Sequence, residues 1–182
     1  IADIGSSCPA SAMTRLRLLF PILAVSLGSC SYAYHLTAVV IGGRVAFVVD
    51  PASRHDASCI NQIDVIAAGG ARAKPAPSDD VSRVQYGTFW HQSLDYDCVD
   101  EFPIFYGQRL KGKPNPLGQA IEAVSAKPLK IGVVYEVTTT TGATGYGGGA
   151  FKILPDHTVI NVPPPPLVGA NDIVGPVTGN GT

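Results

Sequence analysis

Two apolar, β-branched runs separated by three residues place the strongest constraint on the fold of this 182-residue chain. Residues 36–41 and 45–49 flank Gly42, Gly43 and Arg44, a spacing typical of a tight β-hairpin. Both faces of each run are apolar, whereas a half-solvated strand would alternate with polar residues. The pattern therefore predicts a hairpin that is buried between two layers, as in a β-sandwich.

Further short strand-like segments follow the hairpin at intervals of roughly 12 to 25 residues, without long helices between them. They lie at residues 60–66, 84–94, 131–138, 150–154 and 157–162. The chain has 20 glycines, 15 prolines and only 15% charged residues, a composition that favours short strands and many turns. We therefore expect one all-β domain, an antiparallel β-sandwich of immunoglobulin-like type, over residues 30–162.

Two glycine- or proline-rich stretches are interpreted as irregular. Gly145 to Gly149, with the sequence GYGGG, lack the Lys and Ser/Thr of a phosphate-binding loop and precede a strand instead of a helix, so we predict a flexible hairpin loop. Residues 163–182 begin with four prolines and show no periodicity. For this tail we predict an extended, mostly disordered chain.

The aromatic segments have different expected places. Trp90, the only tryptophan in the chain, is expected to pack in the core with its indole N–H satisfied. Pro103 lacks an amide donor, so residues 102–107 are expected at a sheet edge.

Residues 13–29 have the three parts of an export signal. Arg15 and Arg17 precede an apolar run at residues 18–27, which is followed by small residues. The apolar run is too short to span a membrane, which takes about 20 residues. Residues 1–12 precede the only Met and lack this pattern, so we interpret them as upstream translation.

The end of this signal carries a more specific pattern. Leu27, Gly28, Ser29 and Cys30 resemble the lipobox of bacterial lipoproteins. The resemblance implies that Cys30 is lipidated and becomes the mature N-terminus, and that Ser31 after it directs the protein to the outer membrane. Cleavage after Ala33, which would release the chain without lipid, is the alternative.

Export also predicts a disulfide. Cys8 lies in the upstream segment and Cys30 in the lipobox, which leaves Cys59 and Cys98 as the remaining pair. Disulfides form and persist in oxidising compartments, so we expect these two residues to be bonded.

Several chemistries receive no support from the residues. The net charge is −1 with scattered Lys and Arg, which gives no electrostatic basis for nucleic-acid binding. No nucleophile motif or zinc spacing is present. His91 precedes Asp95, Asp97, Asp100 and Glu101, but this run does not match a calcium-binding loop. We therefore predict neither a metal nor a cofactor.

These observations predict an exported cell-envelope protein, in the outer membrane or periplasm, with a non-catalytic binding or structural role. The alternative is an envelope hydrolase with an active site assembled from loops. Expected partners are the membrane, through the N-terminal lipid, and another envelope protein, a cell-wall glycan or a small molecule. Candidate contact residues, if they are exposed, are Tyr86, Trp90, His91, Tyr96, Phe105 and Tyr106.

Overall fold

A computed structural model of the chain describes residues 31–95, 98–113 and 123–163. The predicted signal segment, the predicted tail beyond Pro163 and Tyr96 lie outside these residues. The strands are β1 (Tyr32–Ile41), β2 (Arg44–Val49), β3 (Cys59–Ile60), β4 (Gln62–Ala67), β5 (Thr88–Ser93), β6 (Asp100–Glu101), β7 (Ile104–Phe105), β8 (Val134–Thr141), β9 (Gly145–Ile153) and β10 (Val159–Val162). One α-helix, α1 (Val81–Tyr86), and a 3-10 turn at Ala68–Gly70 complete the regular elements of the described chain.

Eight of the strands form one sheet. Its order is β5-β4-β8-β9-β1-β2-β7. The eighth strand, β10, pairs with β9, which also pairs with β8 and β1. All of these neighbours are antiparallel except β1 and β9, which are parallel. The expected β class is confirmed. The architecture differs from an antiparallel immunoglobulin-like sandwich, because this single mixed sheet curls into a half-barrel.

The predicted hairpin is confirmed as β1 and β2, which pair from Leu36 and Val49 to Ile41 and Arg44. Gly42 and Gly43 have φ angles of 57° and 76°, a conformation that glycine adopts without steric cost. The hairpin does not lie between two layers, however. Near its tip, Val40 and Ile41 are 46% and 41% exposed.

The hydrophobic core lies on the inner side of the curled sheet. Tyr135 of β8 lies at the centre of a set of aromatic rings, with centroids 5.0 Å from Phe89 and 5.5 Å from Phe151. Phe47 of β2 reaches the same set through Phe151, also at 5.5 Å. These rings link β5, β8, β9 and β2, and aromatic pairs of this kind add about 0.5–1.5 kcal/mol each beyond their buried area.

Trp90 is fully buried, as expected, and helps to close the half-barrel. Its ring lies 5.4 Å from that of Tyr106, which follows the edge strand β7. The Tyr106 hydroxyl is 2.8 Å from the carbonyl oxygen of Lys127, and burial raises its pKa well above the usual value. Gln92 adds a second link, accepting from the amide of Leu110 at 3.0 Å through its side chain.

The GYGGG segment corrects one prediction, because it forms the first half of β9 instead of a flexible loop. It pairs with β8 on one edge and with the first residues of β1 on the other. A Cβ at Gly145 would overlap the ring of Tyr32, and one at Gly147 would overlap the ring of Tyr34. The glycines thus provide space for two tyrosine rings that lie on the strand, a role of close approach and not of flexibility.

The outer edge of β9 is shared by two strands. β1 pairs with it from Gly145 to Gly148, and β10 pairs with it from Ala150 to Ile153. At Gly149 the carbonyl oxygen of Leu36 lies where a core-facing side chain would be. β1 therefore turns away from the edge of β9 toward the core at this residue. Asn161 of β10 joins the two strands, because its side-chain amide accepts from the Ala38 amide at 2.7 Å and donates to the Ala38 carbonyl at 2.9 Å.

The strand predicted over residues 84–94 is wrong in its first part, since α1 covers Val81–Tyr86. Asp80 caps this helix by accepting from the amides of Ser82 and Arg83, the usual role of Asp at an N-cap. Gly87 ends it with a φ angle of 104°. The edge position predicted for residues 102–107 is confirmed, because β7 is the last strand of the sheet order.

The predicted disulfide is confirmed between Cys59 and Cys98, with a Cα–Cα distance of 5.4 Å. It lies beside the small β3–β6 sheet, in which Cys59 is paired with Glu101. Closing a loop with a sequence separation of 39 residues contributes about 4 kcal/mol on the chain-entropy account.

Gly149 and Gly148 provide a matched test of the β1–β9 crossing. We expect Gly149→Ala to destabilise the fold by about 1–3 kcal/mol, because its methyl group overlaps the Leu36 carbonyl. Gly148→Ala places its methyl group in open space and should change stability by no more than about 0.5 kcal/mol. Urea unfolding of both variants measures the difference, and equal midpoints would contradict this account of the crossing.

Candidate functional site

The side of the sheet that faces away from the core, here called the outer face, combines residues that are distant in sequence. Cross-strand register places residues from β5, β4, β8, β9 and β1 in two adjacent rows. One row is His91, Asp64, Thr138, Gly148 and His35, and the next is Ser93, Gln62, Thr140, Tyr146 and Ala33.

The exposed part of these rows forms a flat polar surface, which we call the platform: Thr138, Thr140, Tyr146, Gly148 and His35. Thr138 and His35 are exposed, and Tyr146 is 51% exposed. Gly148 lies between Thr138 and His35 in the row, with nothing within 4 Å of the position of a Cβ. The platform thus presents an aromatic ring, hydroxyl groups and an imidazole on an open surface.

Next to the platform, toward the start of β8 and the end of β9, the outer face becomes apolar. It forms a groove of about 550 Å³ there. Its walls come from the 3-10 turn after β4, the start of β8, and the facing parts of β9 and β10. The residues that line it are Ala68, Gly69, Ala71, Gly132, Val133, Val134, Glu136, Ala150, Val162 and Pro163. Glu136 is the one charged side chain among them, so the groove can take an apolar group and offers one carboxylate acceptor.

At the other end of the platform row, the outer face is covered. His91 is 1% exposed, and α1 and Val124 pack near it. His91 Nδ1 lies 2.9 Å from Asp64 Oδ1, although the two atoms are not aligned as a hydrogen bond. Asp64 also lies 3.9 Å from the guanidinium of Arg83. Within the described residues, the imidazole is therefore closed off from solvent.

A buried ion pair between Asp79 and Lys127 fixes the chain that borders β5. The Asp79 carboxylate also accepts from the amide and the hydroxyl of Ser125, at 2.9 Å and 2.7 Å. Burial alone would raise the pKa of Asp79, but hydrogen bonds from Lys127, Ala76 and Ser125 together lower it far below its usual range. The carboxylate therefore stays ionised, as the buried ammonium group requires.

The candidate contact residues from the sequence do not form one surface. Tyr86 is 81% exposed at the end of α1, whereas Trp90 and His91 are buried. Tyr106 is half-buried against Trp90. Phe105 lies under the guanidinium of Arg44, 4.7 Å from the ring centroid. Of the five described candidates, Trp90 thus lies in the core, because its ring completes the inner packing, and His91 lies beneath α1 on the outer face.

Asp100 and Glu101, which follow Cys98, line a cleft that does not include His91. Asp100 and Glu101 border a cleft of about 500 Å³ together with Phe105, Arg109 and Lys111. Asp100 is buried and accepts from the amide of Lys111 at 2.8 Å. Asp97 lies outside the described residues. The carboxylate that meets His91 is Asp64, which the sequence reasoning did not single out.

The platform was also missed. Thr138 and Thr140 alternate with Val137 and Thr139 along β8, and this period of two would have placed them on one face. Their proximity to Tyr146 and His35 depends on strand order, which the local pattern does not contain.

Within residues 31–95, 98–113 and 123–163, no three His, Cys, Asp or Glu side chains converge in a way that would hold a metal ion. No helix in these ranges is long and apolar enough to cross a membrane. No protein-family model, curated protein or solved structure matches the chain.

Replacing Asp79 tests the buried ion pair. We expect Asp79→Asn to lower the free energy of unfolding by about 3 kcal/mol or more at pH 7, since it leaves the Lys127 ammonium buried without its partner. Because the pKa of Asp79 is lowered in the folded state, its contribution is complete above about pH 4 and is lost as the pH falls further. The variant should therefore lose less stability than the wild type in acid.

Chemical unfolding between pH 2 and 7 measures both effects. Asp156→Asn is the matched control, because Asp156 also has a lowered pKa, through Thr158, but is exposed. Its unfolding midpoint at pH 7 should stay near that of the wild type. An Asp79→Asn variant that is as stable as this control would refute the role assigned to the pair.

Proposed function

We propose that this chain is an exported, lipid-anchored protein of the bacterial cell envelope whose domain binds a cell-wall glycan without catalysis. The anchor is a lipid on Cys30, the site is the platform, and the location is the outer membrane. The observation that carries the binding role is Tyr146, a half-exposed tyrosine beside a glycine on an open polar sheet face.

The disulfide supports export. Cys59 and Cys98 are bonded, and such bonds persist in the periplasm or outside the cell but are rare in the cytosol. The bond thus favours an oxidising compartment independently of the signal-like residues.

The start of β1 supports processing at Cys30 over cleavage after Ala33. β1 begins at Tyr32, whose amide donates to the carbonyl of Thr144 at 3.0 Å. Cleavage after Ala33 would remove two residues that pair with β9 and would make the buried Tyr34 the N-terminus. A charged α-amino group at a buried strand position is costly, whereas processing at Cys30 leaves the whole strand intact.

The chemistry of the platform supports a glycan as the partner. A sugar ring has an apolar C–H face and a rim of hydroxyl groups, so it matches an aromatic ring surrounded by hydroxyl and imidazole groups. Gly148 leaves space for a ring beside Tyr146. The platform carries no Lys or Arg, which suits an uncharged polymer better than an anionic one.

The surroundings of His91 support binding over hydrolysis. A hydrolase needs a general acid or base that reaches the substrate. The His91 side chain is 2% exposed and lies against Asp64. The platform offers one imidazole, that of His35, but its solvent-exposed side chains include no carboxylate to pair with it. The hydrolase is therefore the weaker of the two candidate functions.

Mass spectrometry of the mature N-terminus tests the anchor. In a Gram-negative host, we expect the first residue to be Cys30 carrying a diacylglyceryl group, because two acyl chains are needed for stable anchoring. Cys30→Ser should leave the protein without lipid and shift it from the membrane fraction to the soluble fraction. A mature protein that starts at Tyr34 without lipid would rule the anchor out.

Co-sedimentation with isolated peptidoglycan tests the binding site. We expect Tyr146→Ala to weaken binding about tenfold, the loss typical of an aromatic residue at the centre of an interface. Tyr146→Phe should retain most of the affinity, since it keeps the ring.

Tyr86→Ala is the matched control, because Tyr86 is more exposed than Tyr146 but lies on α1 instead of the platform. It should bind like the wild type. Failure of the wild type to sediment with peptidoglycan, or equal losses in the two Tyr→Ala variants, would refute the platform as a glycan site.

A further inference from the structure

The apolar groove and the platform are parts of one surface, because both use the same side of β8. Alternate residues of a strand point to the same face, so the outer face of β8 carries, in order, Thr140, Thr138, Glu136 and Val134. The first two belong to the platform, and the last two line the groove. Along one line, the surface therefore changes from hydroxyl groups to a carboxylate and then to an apolar side chain.

The row of Glu136 joins the groove to the platform directly. Cross-strand pairing places Glu136 between Ile66 of β4 and Ala150 of β9. The next row along β8 is the platform row of Thr138 and Gly148. Rows on one face of a sheet are about 6.8 Å apart, twice the rise per residue. A ligand ring on the platform row thus lies one row away from a carboxylate that has an apolar neighbour on each side.

We propose that this arrangement selects a sugar that carries an N-acetylamino group, so that the ligand of the platform is an N-acetylated glycan. The sugar ring lies on the platform, and the amide N–H of its acetamido group donates to the Glu136 carboxylate. The methyl group enters the groove beside Val134. This inference rests on the proposed glycan site and adds the chemical group by which that site distinguishes one glycan from another.

The length of an acetamido group fits the spacing of the rows. Its amide is planar and trans like a peptide bond, so its methyl carbon lies about 3.8 Å from the ring carbon that bears the nitrogen. That reach covers more than half of the row spacing of about 6.8 Å. The nitrogen precedes the methyl carbon in this direction, as Glu136 precedes Val134 on the way from the platform into the groove. The hydroxyl of an unsubstituted sugar is too short to enter the groove.

The polarity of the groove fits the same group. Glu136 is its one charged lining residue, and among the residues that the structure describes no cation pairs with it. A carboxylate accepts hydrogen bonds, so it suits an amide N–H, while the aliphatic walls suit a methyl group. An ammonium group would also pair with Glu136, but it would leave the apolar walls beyond this residue without contact.

Isothermal titration calorimetry of the full chain with three tetrasaccharides tests the inference. The probes are tetra-N-acetylchitotetraose, its deacetylated form chitotetraose, and cellotetraose, which has hydroxyl groups in place of the acetamido groups. We expect the acetylated chain to bind at least about tenfold more tightly than either of the others, because only its substituents fill the groove and donate to Glu136.

Ala68→Leu and Ala73→Leu form a matched pair of variants. Ala68 lines the groove, so the larger side chain takes the place of the methyl group and should reduce the preference for the acetylated chain to about twofold or less. Ala73 lines a separate pocket beside Phe89, and the same substitution there should leave the preference unchanged. Circular dichroism and the unfolding midpoint establish that each variant is folded.

A second pair of variants tests the acceptor. Glu136→Leu removes the carboxylate and should reduce the preference for the acetylated chain about tenfold, since the amide N–H is then buried without a partner. Glu136→Gln keeps an acceptor oxygen at the same position and should retain most of the preference.

The outcomes separate this inference from the proposed function. Equal binding of the acetylated chain and cellotetraose, with loss of both in Tyr146→Ala, would overturn the inference and leave the glycan site in place. Tighter binding of chitotetraose would also overturn it, because Glu136 would then hold an ammonium group. If none of the three tetrasaccharides binds, the proposed glycan site fails and the inference fails with it.

Discussion

The parallel contact between β1 and β9 is the constraint on which the rest of the structure depends. Tyr32 and Tyr34 can lie on β9 only because Gly145 and Gly147 present no side chains to them. The same pairing joins the N-terminal hairpin to the β8–β9 hairpin. Since β1 then leaves the edge on the core side, the sheet curls, and the vacated edge becomes available to β10. A flat antiparallel arrangement would provide neither the curl nor the shared edge.

The two faces of this sheet differ in burial and composition. The inner face holds the aromatic core and needs a large buried area, since it contributes most of the hydrophobic stabilisation. The outer face is divided along the strands: α1 and the Asp79–Lys127 pair cover the β5 end, whereas β8, β9 and β1 remain open at the platform. The division explains why His91 and Tyr146, which lie in adjacent rows of the same face, have opposite exposure. It also gives the proposed binding surface a rigid support of paired strands.

The sequence predicted those features that depend on neighbours in the chain. The β1–β2 hairpin followed from its apolar runs and glycine turn, and the Cys59–Cys98 bond from the elimination of the other cysteines. The strand over residues 84–94 was half wrong, because the cap signals at Asp80 and Gly87 outweigh the strand preference of Val84 and Tyr86. The GYGGG segment was missed for another reason: the tyrosine rings that need its glycines lie more than 100 residues away. The platform and the parallel pair likewise depend on strand order, which local patterns do not contain.

The position of β1 would have a mechanical consequence if the proposed lipid anchor and glycan site act together. Tension would enter at Tyr32 and leave through Tyr146, which is paired with Ala33 at the same end of the parallel ladder. Because both load points lie where β1 and β9 begin, the pull would open the ladder from this end, one pair after another, instead of shearing its hydrogen bonds together. The start of β1 would thus be the first part of the sheet to yield under load, while the hydrophobic core stays outside the direct line of load.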